Sequence, residues 1–94
     1  MAGDATGELP RIDFSTFVLS LSTSALYHLG LVEDPQTGRK GEPDLPLASQ
    51  TIDTLAVLEE KTRGNLDGEE RQLLESLLYE LRMRFVEVSH SRKP

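Results

Sequence analysis

Residues Phe14 to Val32, FSTFVLSLSTSALYHLGLV, run for nineteen positions without Asp, Glu, Lys or Arg in a chain whose residues are 28% charged. No other feature constrains the fold as strongly, because a segment of that length with no ionic side has to be covered by lipid or by protein. Its length suits a membrane span, yet six of the nineteen residues are Ser or Thr, Gly30 stands near the end and no basic cluster flanks it. A helix buried in protein is the better reading. The charged segments that follow are expected to provide the cover.

The chain has 94 residues, room for one domain. A domain this small buries little more than half of the surface its unfolded chain exposes and usually relies on an added stabiliser. Cysteine is absent. That removes disulfides, thiolate zinc sites and a cysteine nucleophile together, and it suits a reducing, cytoplasmic setting. Oligomerisation is the expected stabiliser. The net charge of -6 argues against a general nucleic-acid binder, whose phosphate contacts need clustered bases. The opening MAGDATGELPR has no apolar run and does not read as a secretory signal.

Residues 1 to 12 are small and polar and are expected to form a flexible arm, with Leu9 and Ile12 as its apolar positions. Asp13 is placed to cap a first helix spanning 13 to 30. Within it Phe14, Phe17, Val18, Leu21, Ala25, His28 and Leu29 recur every three or four residues and mark the expected core face. The reverse side carries Ser15, Leu19, Ser22 and Leu26, beside Thr16, Ser20, Thr23, Ser24 and Tyr27. Ser20 and Ser24 stand four apart and predict a close helix–helix contact, within the chain or between chains. Their hydroxyls can donate to carbonyls of the preceding turn. Gly30 fits a left-handed helix end, with Leu31 folding back over it.

The next fourteen residues, EDPQTGRKGEPDLP, hold three prolines and two glycines and read as a surface loop. A second helix is expected over 45 to 63, with Leu47, Ala48, Thr51, Ile52, Leu55, Leu58 and Thr62 on its inner face. Gly64 stops it. Asp67 and Glu70 then form a capping box for a third helix over 67 to 88, and the short connection makes the pair an antiparallel hairpin. Leu73, Leu74, Leu77, Leu78, Leu81, Phe85 and Val88 fall within an arc of roughly 140° on that helix. Tyr79, Met83 and Val86 project from the opposite side, where scattered apolar residues are ordinary but a contact stripe is the alternative. The closing SHSRKP reads as a disordered tail over 89 to 94.

Chemistry is sparse. The two histidines are His28, on the apolar side of the first helix, and His90, in the tail. No Glu-x-x-His occurs, which the helical di-metal sites require. GxSxG is missing as well, and GRKG lacks the spacing of a phosphate-binding loop. No catalytic residue, metal ligand or cofactor is therefore assigned. Arg82 and Arg84 lie on different sides of the third helix and make no basic stripe.

Three segments together resemble a bacterial family of small proteins, domain of unknown function 1844: FSTFVLSLSTSALYHLGLVEDPQTG, LPLASQTIDTLAVLEEKTRGNL and EERQLLESLLYELRMRFVEV. The run LLYELRMRF following KTRGNL is the most specific part. The resemblance implies a small, soluble helical domain over about Phe14 to Val88 and carries no activity, cofactor or catalytic residue onto these positions.

The sequence thus predicts an all-α, three-helix domain over 13 to 88 with a C-terminal antiparallel helical hairpin, completed by oligomerisation. Its expected role is non-enzymatic, as a cytoplasmic protein-interaction or scaffold module that self-associates, a dimer by default. Another protein is a further candidate partner; nucleic acid and stable membrane insertion are not expected. Ser20, Ser24, Tyr27, Tyr79, Met83 and Val86 are the interface candidates. Two alternatives belong to other classes: a small ligand held in a pocket near His28 with Tyr27, and membrane-surface association through residues 14 to 32. If Ser24 lies in a tight interface, Ser24→Leu is expected to disrupt folding or assembly by overpacking.

Overall fold

A computed structural model describes residues 11–34 and 36–91. Among the described residues there are three helices, α1 (Phe14–His28), α2 (Leu45–Lys61) and α3 (Gly68–Ser91), and the fold is all-α apart from one isolated bridge between Glu33 and Lys40. Residues 1 to 10 of the expected arm and 92 to 94 of the expected tail lie outside the described residues.

Each helix begins on an acidic side chain that accepts from an otherwise unpaired amide of the first turn. Asp13 Oδ1 accepts from Thr16 N–H at 2.8 Å, and Asp44 Oδ1 from Leu47 N–H at 3.1 Å. Asp67 and Glu70 bond reciprocally: Glu70 N–H donates to Asp67 Oδ1 at 2.8 Å and Asp67 N–H to Glu70 Oε1 at 3.0 Å. This is the expected capping box. Pro46 sits in the first turn of α2, where its missing N–H has no consequence.

The end of α1 is built as its sequence suggests. Gly30 takes φ +77°. Its N–H donates to Tyr27 O at 2.9 Å and Leu31 N–H donates to Leu26 O at 3.0 Å, the paired bonds of a Schellman cap. A Cβ on Gly30 would meet Gly41 O at 3.1 Å and Pro43 Cγ at 3.2 Å, so the returning loop closes against it. Asp44 N–H then donates to His28 O at 2.6 Å and ties the start of α2 to the end of α1.

The main core joins Val18 and Ala25 of α1, Ile52 and Leu55 of α2, and Leu74, Leu78 and Leu81 of α3. A second cluster sets Leu29 with Ala48 and Val88, with Leu45 and Phe85 packed against it. It brings together the C-terminal end of α1, the N-terminal end of α2 and the C-terminal end of α3. The chain therefore runs up, down and up. Glu59 shares one groove with Glu75 and Asp53 shares one hollow with Arg82, as an antiparallel hairpin requires.

Two expectations are corrected. The buried line of α1 is Val18, Ser22, Ala25 and the capping Leu29; Val18, Ala25 and Leu29 of the expected face are inward and Phe14 and Leu21 pack on the core, but the face is turned by about 50° at 100° per residue. Ser22 is only 5% exposed and Leu26 packs on the core, whereas Phe17 is 41% exposed. With no charge to mark a wet side, the helix settles with small side chains inward, where they let backbones approach. Ser20 and Ser24 are exposed and take no part in that approach. The second correction concerns Ser89, His90 and Ser91, which continue α3 where a tail is expected. No Gly or Pro interrupts the segment, Val88 is anchored in the second cluster, and Ser91 Oγ donates to Val88 O at 3.0 Å.

The substitution test follows the corrected face. Ser22→Leu is expected to cost about 1 to 3 kcal/mol of stability by overpacking, and Ser24→Leu to stay within about 0.5 kcal/mol as a surface change, both read from urea midpoints. Equal losses would restore the original face. The hydrogen bonds from Thr16 hold the Asp13 carboxyl below its ordinary value of 3.8. Its cap is therefore intact above the unfolded-state pKa and lost as pH falls through the lower folded value, so the protection of the Thr16 amide, its exchange rate relative to that of an unstructured peptide at the same pH, should fall on acidification.

Candidate functional site

Two surfaces hold the sequence-predicted residues. The first lies on the outside of α3, where Tyr79 is 66% exposed, Met83 44% and Val86 53%. At 100° per residue their common direction points away from the buried Leu74, Leu78 and Leu81. They border an open groove of about 470 Å³ between α2 and α3, with Leu78 at its floor and Glu59, Glu75, Arg82 and Glu87 around it. Arg84, further round the helix, is held by Glu80 at 2.8 Å and by Glu87 at 3.5 Å.

The second surface is the outer side of α1. Ser20, Ser24 and the half-buried Tyr27 lie there with Thr16, Phe17, Leu19 and Thr23, so an uncharged face is turned outward. Its hydroxyls are partly turned back on their own helix: Ser20 Oγ donates to Phe17 O at 2.7 Å and Thr23 Oγ1 to Leu19 O at 3.1 Å. Such bonds satisfy the hydroxyls without water and leave the face less polar than its composition suggests.

At the C-terminal end of that face the loop folds up beside Tyr27. Ser20, Thr23, Ser24, Tyr27, His28 and Asp34 line an open hollow of about 420 Å³. Tyr27 and Asp34 also border a neighbouring hollow with Thr37, Arg39, Lys40 and Gly41. The Tyr27 and His28 rings stand 5.6 Å apart and tilted by 58°. Asp34 organises the loop, accepting from Gln36 N–H at its carboxylate and from Gly38 N–H at its carbonyl, both at 2.8 Å. The Pro- and Gly-rich composition indicated a turn, but nothing local to Asp34, Arg39 or Gly41 indicated that it would return to Tyr27. Likewise no sequence signal set Glu59 of α2 beside the α3 stripe.

The two surfaces hold different members of the candidate set, Ser20, Ser24 and Tyr27 on one and Tyr79, Met83 and Val86 on the other. Among the described residues no group of three or more His, Cys, Asp or Glu is placed to hold a metal ion, and no helix is long and apolar enough to cross a membrane.

With this geometry in place, comparison with known proteins is informative at one level. The family model described as Domain of unknown function (DUF1844) matches residues 11–87. The chain belongs to this family. The match takes in all of α1 and α2 and α3 up to Glu87, so the family unit coincides with the three-helix fold. The chain matches no curated protein and no solved structure.

The contact between Gly41 and Tyr27 is open to test. A Cβ on Gly41 would lie 3.2 Å from Tyr27 Oη, so Gly41→Val should push the phenol aside. The His28 ring proton resonances are expected to shift while far-UV circular dichroism stays unchanged. Unshifted resonances would mean that Tyr27 does not rest on the loop in solution.

Proposed function

We propose that this protein is a non-enzymatic helical interaction module that self-associates as a dimer in the cytoplasm. The observation that carries the reading is the outer side of α3, where Tyr79, Met83 and Val86 expose apolar surface beside the groove between α2 and α3 and turned away from the buried leucines. Aromatic and thioether side chains of this kind are favoured at contact surfaces, where they add area and adapt to a partner's shape. A single small core leaves stability to be gained by covering such a surface. The charged residues around the stripe suit the rim of an interface and keep the free chain soluble.

A second reading has one observation in its favour. The open hollow lined by Tyr27, His28 and Asp34 offers polar groups to a small ligand. It is open to solvent, whereas most small-molecule sites enclose their ligand. A membrane-surface role through residues 14 to 32 would need Val18, Ala25 and Leu29 to leave the core, and each is at most 1% exposed.

Sedimentation across a concentration series tests the proposal. The wild-type chain is expected to approach twice its monomer mass, and a variant with Tyr79, Met83 and Val86 all changed to Ala to sediment as a monomer with unchanged helicity. The same mass for both would remove the stripe from the interface. Specific retention of a small molecule by the wild-type chain, lost in a Tyr27→Ala variant, would favour the second reading.

A further inference from the structure

The outer side of α3 has a longer order than its three apolar residues. Gln72, Ser76, Tyr79, Met83, Val86 and His90 follow one another at steps of four, three, four, three and four, and all six are exposed. That alternation aligns side chains along one seam of a helix. A straight helix drifts only about 20° per seven residues from such a seam, so over this length a partner helix can follow it with little supercoiling. The middle of the seam is apolar and its ends are polar.

We infer that a second copy of this chain docks along this seam, with the two α3 helices parallel and in register. The inference rests on the self-association proposed above and names its surface and orientation. In that arrangement Tyr79, Met83 and Val86 each meet their own counterparts. Arg82 immediately precedes Met83 and Glu87 immediately follows Val86, the positions that face one another across a parallel pair. Arg82 of each copy therefore meets Glu87 of the other, giving two opposite-charge contacts beside the apolar layers. The same register sets Glu75 towards Glu80 near Ser76, an unfavourable contact that Arg84 moderates by holding Glu80 at 2.8 Å.

Antiparallel registers fit less well. Matching Tyr79 with Met83 of the second copy sets Arg82 against Arg82 and Glu80 against Glu80. Matching Met83 with Val86 sets Glu80 against Glu87. The register that pairs Glu75 with Arg82 spends the apolar positions on polar ones, placing Met83 on Gln72 and Tyr79 on Ser76. Among these, the parallel in-register pair alone matches all three apolar positions with apolar neighbours and adds opposite charges beside them.

The absence of cysteine makes the test direct, because a single introduced thiol reports only its own neighbour. Met83→Cys in the full chain is expected to yield a disulfide-linked dimer on mild oxidation, while Ser20→Cys on the outer side of α1 remains unlinked. Arg82→Glu and Glu87→Arg should each weaken self-association by about tenfold, the combined effect of two exposed ion pairs, and their equimolar mixture should recover it as a heterodimer. A dimer by sedimentation in which Met83→Cys links only to Tyr79→Cys would establish an antiparallel pair and overturn the inference alone. Linkage through Ser20→Cys would move the interface to α1 and overturn it equally. A wild-type chain that stays monomeric at every concentration would overturn the self-association reading itself.

Discussion

Leu29, Ala48 and Val88 meet where α1 ends, α2 begins and the last part of α3 passes, and the arrangement of the chain depends on that junction. Gly30 ends α1 with a Schellman cap, the loop closes over it, and the bond from Asp44 N–H to His28 O fixes where α2 starts. Leu29 has 1% of its surface exposed and Ala48 none, so a larger residue at position 48 would part the helices at the point where the direction of the chain is set. Val88 completes the cluster from α3 and holds that helix in place through to Ser91.

Once the junction holds α1 against both other helices, its remaining surface is determined. A helix with no ionic residue cannot expose a charged side, so it presents hydroxyls, those of Ser20 and Thr23 bonded to its own carbonyls, between Phe17 and Leu19. The outer side of α3 is different in kind. It offers Tyr79, Met83 and Val86 among charges of both signs, a pattern with the apolar centre and polar border of a contact surface. The solvated Glu80, Arg84 and Glu87 set contributes at most a few tenths of a kcal/mol per pair to the helix itself, so those charges matter more for solubility and for the choice of partner than for stability.

Much of the candidate surface could be read from periodicity. Tyr79, Met83 and Val86 stand out because the leucine arc of α3 is so regular that anything apolar outside it has to face away from the core. The groove beside them could not be read, since Glu59 arrives from another helix and no local pattern records which α2 residue lies next to Tyr79. The same holds for Tyr27, whose neighbours Asp34 and Gly41 are brought by a loop whose return path is a property of the whole chain. Ser20 and Ser24 show the converse. Their spacing indicated a tight contact, yet in the folded chain Ser22 takes the inward position between Val18 and Ala25.

What the sequence determined by itself is the set of helices, where each begins and where α1 ends. Asp13, Asp44, the Asp67–Glu70 box and Gly30 each act over four or five residues, and bonds of that range form in much the same way whatever packs around them. The leucine arc of α3 is equally self-contained. Only the tertiary structure decided how far α1 is turned, with Ser22 inward and Phe17 outward, and that α3 continues to Ser91. An amphipathic helix carries its orientation in the contrast between apolar and charged faces, and α1 has no such contrast; its rotation was set by how closely Val18, Ser22 and Ala25 could approach the other two helices.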